Sequence, residues 1–324
     1  MCFNKLQTMK KIKKIVLVLS VIFVYSISSA QTDMLKRRVK HVVVIGFDGL
    51  SPDGLKNAKT PNFDQLIKEG ASSMHARGVL PTSSSTNWAT MIMGAGPEQH
   101  GITSNGWKVK DHVLPPVVED DEAIFPTIFN VVNKQLPDAE IGVIYDWGDF
   151  GRLFEKSAVD YDINPKTAEE TAKTASAYIE DKKPTFTFVH LDHIDHAGHE
   201  FGHGSGEYYK SVEVADELLG EIMNAIKKAG MSKNTLVILS ADHGGFEKGH
   251  GGETLGEIEI PFILWGKGIK KNYKIPNAVY QYDNAATVAF ALGLKRPWAW
   301  IGRPLIMAFE GFEIDDSYPI VEKK

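Results

Sequence analysis

Residues 234–251 read NTLVILSADHGGFEKGHG, and the fold class turns on how this stretch breaks. Positions 235–239 form an apolar, β-branched run of the length of a buried strand. The run stops at Ser240-Ala241-Asp242-His243-Gly244-Gly245, which puts a carboxylate and an imidazole side by side just past a strand's end. In open α/β sheets the loops at that edge leave a crevice for ligands. The two glycines let the backbone turn away. Asp242 and His243, with His250 a few residues on, are donors suited to a metal ion. The same residues fit a solvated surface turn equally well, so the rest of the chain decides between the two readings.

The pattern recurs elsewhere. HVVVIGF at 41–47 reads as a fully buried strand and ends at Asp48-Gly49. A strand over 140–145 is followed by Asp146-Trp147-Gly148. PTFTFVHL at 184–191 runs into Asp192, His193, Asp195, His196, His199 and His203. The whole chain has only 11 histidines, so this concentration points to a metal site rather than a solvated face. A last strand is predicted over 257–265, and helical patterns occupy 126–134, 166–181, 207–229 and 283–292. A shorter helix opens at Thr60-Pro61 and stops at Gly70. Asp53 reads as a cap or solvated loop residue.

Strands alternating with helices imply an α/β fold, a mainly parallel central sheet with helices on both faces. In a parallel sheet the strand C-termini share one edge. Asp48, the 192–199 cluster and Asp242-His243 therefore converge there from three distant segments. So many carboxylates repel one another without cations. Two divalent ions would neutralise them and could activate both a nucleophile and a water.

At 79–101 the sequence is VLPTSSSTNWATMIMGAGPEQHG, a run of hydroxyl residues ahead of a segment that starts a helix at Trp88. A hydroxyl there is either an N-cap or a group in the positive field of the helix terminus, where an alkoxide or a phosphate is stabilised. Residues 101–125, with Pro115-Pro116 and acids from Glu119 to Glu122, read as a long loop or small cap. Trp107 fits core packing better than stacking on a substrate ring.

The chain has 324 residues, 43% hydrophobic and 24% charged, enough for a sizeable core. Residues 1–30 read as a cleavable signal peptide: Lys5, Lys10, Lys11, Lys13 and Lys14, then an apolar run from Ile15 to Tyr25, then Ser28-Ser29-Ala30. The run is short for a membrane span, and an uncleaved anchor is the alternative. A secreted or periplasmic protein follows, with no membrane span after cleavage. Residues 31–40 read as a mobile lead-in, and 41–324 as a single α/β metallohydrolase domain. Five of the 36 basic residues lie in the leader against 41 acidic residues in all, so bulk nucleic-acid binding is not expected. The one cysteine, Cys2, also lies in the leader, which excludes disulfides, a thiolate nucleophile and cysteine-based zinc from the mature chain.

Taken together, Asp48-Gly49, Pro81-Thr82-Ser83-Ser84-Ser85-Thr86-Asn87, Gly94, Pro97, His100-Gly101-Ile102, Asp195-His196-Ala197-Gly198-His199 and Asp242-His243-Gly244 resemble the alkaline phosphatase superfamily. The resemblance is to its type I phosphodiesterase/nucleotide pyrophosphatase branch, over residues 42–305. That branch carries its nucleophile three residues after the first Pro of Pro-Thr-x-Thr-x-Pro-Asn. The resemblance implies Ser84 as nucleophile, with Ser85 as second choice, and Asn87 as phosphate-binding asparagine. Ser replaces the usual Thr, and Thr86 the usual Pro.

The implied ligands are Asp48, Ser84, Asp242 and His243 for one ion and Asp195 and His199 for the other. His250 completes the second set, since no histidine follows it, although the family's pyrophosphatases place theirs further downstream. Zinc suits nitrogen and carboxylate donors without sulfur, and manganese can replace it. The implied activity is a phosphodiesterase or nucleotide pyrophosphatase acting through a phospho-serine on a small phosphate ester, possibly a nucleotide. A phosphomonoesterase of alkaline phosphatase type is the alternative. The lack of a basic residue nearer to the serines in sequence than Arg77 leans toward diesters. A secreted metal-binding protein without catalysis is a third reading.

Overall fold

The structure is a computed structural model that describes residues 39–276 and 278–312. The signal-peptide reading and residues 31–38 of the lead-in lie outside the described residues. In chain order the strands and longer helices begin with β1 (His41–Phe47), α1 (Pro61–Glu69), β2 (Ala71–Arg77), α2 (Ser84–Met93) and α3 (Ile128–Gln135). They continue with β3 (Ile141–Tyr145), β4 (Tyr161–Ile163), α4 (Ala168–Lys182), β5 (Phe186–Leu191), α5 (His193–Phe201) and α6 (Gly206–Lys228). β6 (Thr235–Ser240), β7 (Glu259–Gly266), β8 (Tyr273–Lys274) and α7 (Asp283–Leu292) complete the set.

The sheet has eight strands in the order β4-β3-β5-β1-β6-β7-β2-β8. β4, β3, β5, β1 and β6 run parallel, while β7 is antiparallel to both β6 and β2. The mainly parallel expectation holds. Buried on both faces, β5, β1 and β6 read as continuous apolar runs, as inner strands of a parallel sheet must. α1, α4, α5 and α6 pack together as one group of helices, and α2, α3 and α7 as another.

Except at α2, boundaries moved by a residue or two from the sequence expectation, but β2, β4, β8 and α5 were not foreseen. β2, ASSMHAR, is too polar to announce itself and exists because β7 and β8 pair with it on either side. α5 begins directly after Asp192, and the fourfold spacing of Asp195 and His199 on it puts both side chains on one face. Helix α2 begins at Ser84, four residues before the Trp88 start read from the sequence. Asp53 lies in the first turn of the short helix Pro52–Asn57 and accepts from Asn57 and Tyr209, while Ser51 is that helix's N-cap. Residues 101–127 hold turns and an isolated bridge between Lys108 and Asp111, with no helix or longer strand.

Two glycines are needed where they stand. A Cβ on Gly46 of β1 would lie 2.4 Å from Cη2 of Trp88, so α2 can lay its indole on the strand only because the side chain is missing. Gly49 has φ +71°, and a Cβ there would lie 2.9 Å from Cα of Asp195. The turn after Asp48 thus comes within contact of α5.

Buried His100 follows α2 and ties the next loop to it. Its Nδ1 accepts from the N–H of Ile102 at 3.0 Å, so the ring proton sits on Nε2 and donates to Thr90 Oγ1 at 3.0 Å. Burial pushes this imidazole down from 6.5 to about 3. A lowered folded-state value gives stability that is complete above pH 6.5 and is lost as pH falls from there toward 3. At pH 5 the loss is about 2 kcal/mol. In urea unfolding at pH 7 and pH 5, His100→Gln is expected to remove about that increment from the acid-side loss; an unchanged pH dependence refutes the assignment.

Candidate active site

The register places the site. Phe47 of β1 pairs with Leu191 of β5, and Gly46 pairs with Ser240 of β6, so Asp48, Asp192 and Asp242 leave three adjacent strands at the same edge. Asp195 reaches it from the first turn of α5 and His199 from the last, Ser84 from the first turn of α2, and His250 from the loop after β6.

Asp48, Asp242 and His243 form one group of donor atoms lying within 4.8 Å of one another, and Asp195, His199 and His250 form a second. Asp48, Asp192 and Asp195 form a third between them. His243 Nε2 lies 3.4 Å from Asp48 Oδ1, 3.1 Å from Asp242 Oδ2 and 3.3 Å from Ser84 Oγ. In the second group, Asp195 Oδ2 is 3.2 Å from His199 Nε2 and 3.8 Å from His250 Nε2. The rings of His243 and His250 stack at 3.7 Å, so the two groups touch.

Each of these histidines turns its Nδ1 to a backbone carbonyl: His243 to Gly244 at 2.8 Å, His250 to Thr82 at 2.8 Å and His199 to Lys248 at 2.9 Å. Tying Nδ1–H in this way selects Nε2 as the atom presented to a metal. Thr82 holds the His250 loop a second time, donating to Gly252 O at 2.7 Å and accepting from Gly251 N at 2.9 Å.

The electrostatics fit cations. Burial pushes His243 down to about 3, so the ring is neutral and its Nε2 lone pair points at the oxygens of Asp48, Asp242 and Ser84. Burial first, and then the charges of neighbouring carboxylates, raises Asp48 and Asp242 above the usual carboxylate range. For Asp195 burial acts the same way, but the His199 hydrogen bond and the charges of His243, His250 and His199 together outweigh it and the carboxyl is held low. Asp48 Oδ1, Asp195 Oδ1 and Asp242 Oδ2 are buried without hydrogen-bond partners. Orphaned carboxylate oxygens facing an imidazole lone pair are the donor set of a divalent ion.

The two serines are told apart by their partners. Ser84 Oγ faces His243, whereas Ser85 is fully buried, accepts from Arg152 Nη2 at 3.1 Å and donates its N–H to Asn105 Oδ1 at 2.8 Å. Asn87, read as a phosphate donor, is spent elsewhere. Its Oδ1 accepts from Val79 N at 2.7 Å, and its Nδ2 donates to the carbonyls of Val79, Pro81 and Ser83 at 3.1–3.2 Å. Fully buried, it braces the 79–83 turn and presents no donor to a ligand. The asparagine beside the serines is Asn105, which is exposed and 20 positions beyond Ser85.

Arg152, from the short helix after β3, also escaped the sequence reading. It reaches Ser85 Oγ and the carbonyl of Asn105, and pairs with Asp149 at 3.1 Å. A basic residue therefore does lie beside the serine run, although none is near in sequence. Trp107 is buried and stacked on His112 at 6.1 Å, as core packing requires.

Among proteins of known sequence, the human bis(5'-adenosyl)-triphosphatase ENPP4 is 26% identical over 239 residues, which is 70% of this chain and 52% of that one. Venom phosphodiesterase 2 of Crotalus adamanteus is 24% identical over 242 residues, 63% of this chain and 26% of that one. The chain thus spans about half the length of the first and a quarter of the second. The fold is shared with murine ectonucleotide pyrophosphatase/phosphodiesterase 5, solved as an inactive form with AMP, at TM-score 0.67 and 16% identity over 80% of this chain and 96% of that one. It is shared equally with the alkaline phosphatase PafA, at TM-score 0.69 and 13% identity over 84% of this chain and 99% of that one. The model of the type I phosphodiesterase/nucleotide pyrophosphatase family matches residues 42–249, and the chain belongs to that family.

Proposed function

We propose that the chain hydrolyses phosphodiester or phosphoanhydride bonds of small phosphate esters through a covalent phospho-serine on Ser84, with two divalent ions. The observation that carries this reading is the position of Ser84 Oγ, 3.3 Å from His243 Nε2 of one group of metal donors and at the N-terminus of α2. Asp48, Asp242, His243 and Ser84 would hold one ion, and Asp195, His199 and His250 the other. Zinc suits these donors, with manganese as the alternative. When bound, such ions lower the pKa of a hydroxyl and a water and neutralise the charge of a transferring phosphoryl group.

The chain's own groups do the rest. Ser84 Oγ forms the bond to phosphorus as the leaving-group oxygen departs with its electron pair, and water later cleaves the phospho-serine. The positive field at the N-terminus of α2, where Ser84 sits, favours the negative charge of the transferring group. Asn105, with its Oδ1 fixed by Ser85 N–H, turns its amide NH2 to a non-bridging oxygen, the role first read for Asn87. The names of the relatives support a nucleotide-like substrate. The leader read at 1–30 supports a secreted or periplasmic location, and no helix among the described residues is long and apolar enough to cross a membrane.

Arg152 favours a second reading, a phosphomonoesterase, because a guanidinium beside the nucleophile suits the extra charge of a monoester. Purified protein is expected to hydrolyse a bis-aryl phosphate faster than the mono-aryl phosphate; the reverse order decides for the monoesterase. Ser84→Ala is expected to lower turnover by on the order of a thousandfold or more, and Ser85→Ala by far less. If Arg152 only braces Ser85 and Asn105, Arg152→Ala slows both esters alike; a larger loss on the monoester shows that it meets the phosphoryl group. Zinc at about 100 times its Kd is expected to add about 2.7 kcal/mol of stability. A chelator should remove that gain, and thermal unfolding reads both changes.

A further inference from the structure

Asp48 turns its two oxygens to different neighbours. Oδ1 faces His243 Nε2 at 3.4 Å and has no hydrogen-bond partner. Oδ2 accepts from Trp88 Nε1 at 3.0 Å and lies 3.5 Å from His190 Nε2. His190 is fully buried in β5, and its other nitrogen, Nδ1, is 3.2 Å from Asp146 Oδ1. Tyr145, His190 and Gly46 are register partners across β3, β5 and β1. Asp146, His190 and Asp48 therefore form a line across the C-terminal edge of three adjacent strands.

Both nitrogens of this imidazole face carboxylates: Nδ1 is within hydrogen-bond distance of Asp146 Oδ1, which can only accept, while Nε2 has no hydrogen-bond partner and stands 3.5 Å from Asp48 Oδ2. Trp88 packs against it with a centroid separation of 4.4 Å, Trp147 stacks at 6.1 Å, and Phe150 lies at 5.2 Å. These aromatic neighbours fix the ring plane. An apolar residue would have filled this position in β5 at no desolvation cost. A buried imidazole set between two carboxylates, one of them in a candidate metal-donor group, calls for a role beyond packing.

We propose that Asp146 and His190 are positioning residues for the ion on the Ser84 side: through Asp48 Oδ2 they lock the carboxylate so that Oδ1 is its ligand atom. The proposal rests on the two-ion reading given above. Neither residue touches substrate or ion, and both act through Asp48. His190 is sandwiched between two neighbours that cannot move independently, since each closes a parallel strand paired to its own.

The test is zinc affinity of the full chain, by competition with a chromogenic chelator, for the parent, His190→Gln, Asp146→Asn and Asp242→Asn. Asp242→Asn identifies the ion on the Ser84 side by removing it. His190→Gln and Asp146→Asn are expected to weaken that ion about 10- to 100-fold and to leave the other unchanged, with unaltered far-UV circular dichroism. Unchanged affinity in both variants overturns the proposal, as does equal weakening of both ions, which marks a general loosening. If His190→Gln does not fold, Asp146→Asn, which leaves the ring in place, decides alone; if neither folds, the pair is structural and the proposal fails. A folded parent that binds no zinc overturns the two-ion reading instead.

Discussion

Asp48, Asp195 and Asp242 bring three like charges together where water is scarce, and the rest of the site answers that repulsion. Their strands cannot avoid it. β5, β1 and β6 are hydrogen-bonded in parallel, so Asp192, Asp48 and Asp242 leave them at the same edge, and α5, which starts directly after Asp192, carries Asp195 there. Such carboxylates take up protons or take up cations. Three histidines with Nδ1 already committed to carbonyls turn Nε2, the atom a metal would take, toward the carboxylates. Protonation would put donors at Nε2; a metal needs the lone pair there.

Selection among the serines follows from the same edge. The first turn of α2 places Ser84 and Ser85 next to each other, and the difference between them lies wholly in their neighbours. Ser85 is engaged at both its N–H and its hydroxyl, while Ser84 meets only the His243 lone pair. Asn87 makes this arrangement rigid by gathering three carbonyls and one N–H of the preceding turn onto a single amide. Its burial is the reason it serves the backbone rather than a ligand.

Those links explain which parts were legible in the sequence. Inner strands of a parallel sheet are continuous apolar runs, so the ends of β1, β5 and β6, and with them Asp48, Asp195, Asp242 and His243, could be read directly. β2 could not, because its strand character belongs to its partners and not to ASSMHAR itself. Asn105 and Arg152 were missed for a related reason. Each reaches the serines through a loop whose path no local pattern encodes, Arg152 from 67 positions away. Distance along the chain was a poor guide to charge near the nucleophile, and the sequence argument for diesters weakened with it. The signal that was available for Asn105 is its Asn-Gly pair just after His100-Gly101-Ile102, a turn held to α2 by His100.

Thr82 shows why the two donor groups must be considered together. Its carbonyl fixes His250, its hydroxyl fixes Gly251 and Gly252, and two residues later the chain enters α2 at Ser84. One short segment thus sets both the proposed nucleophile at one group and a histidine of the other. His250 in turn stacks on His243 of the first group. A shift of the 79–83 turn would move ligands of both at once, so the bracing by Asn87 bears on the spacing between the two centres as well as on Ser84. In the proposed two-ion reaction, which needs attacking and leaving oxygens in line, that spacing is the quantity the loop has to hold constant.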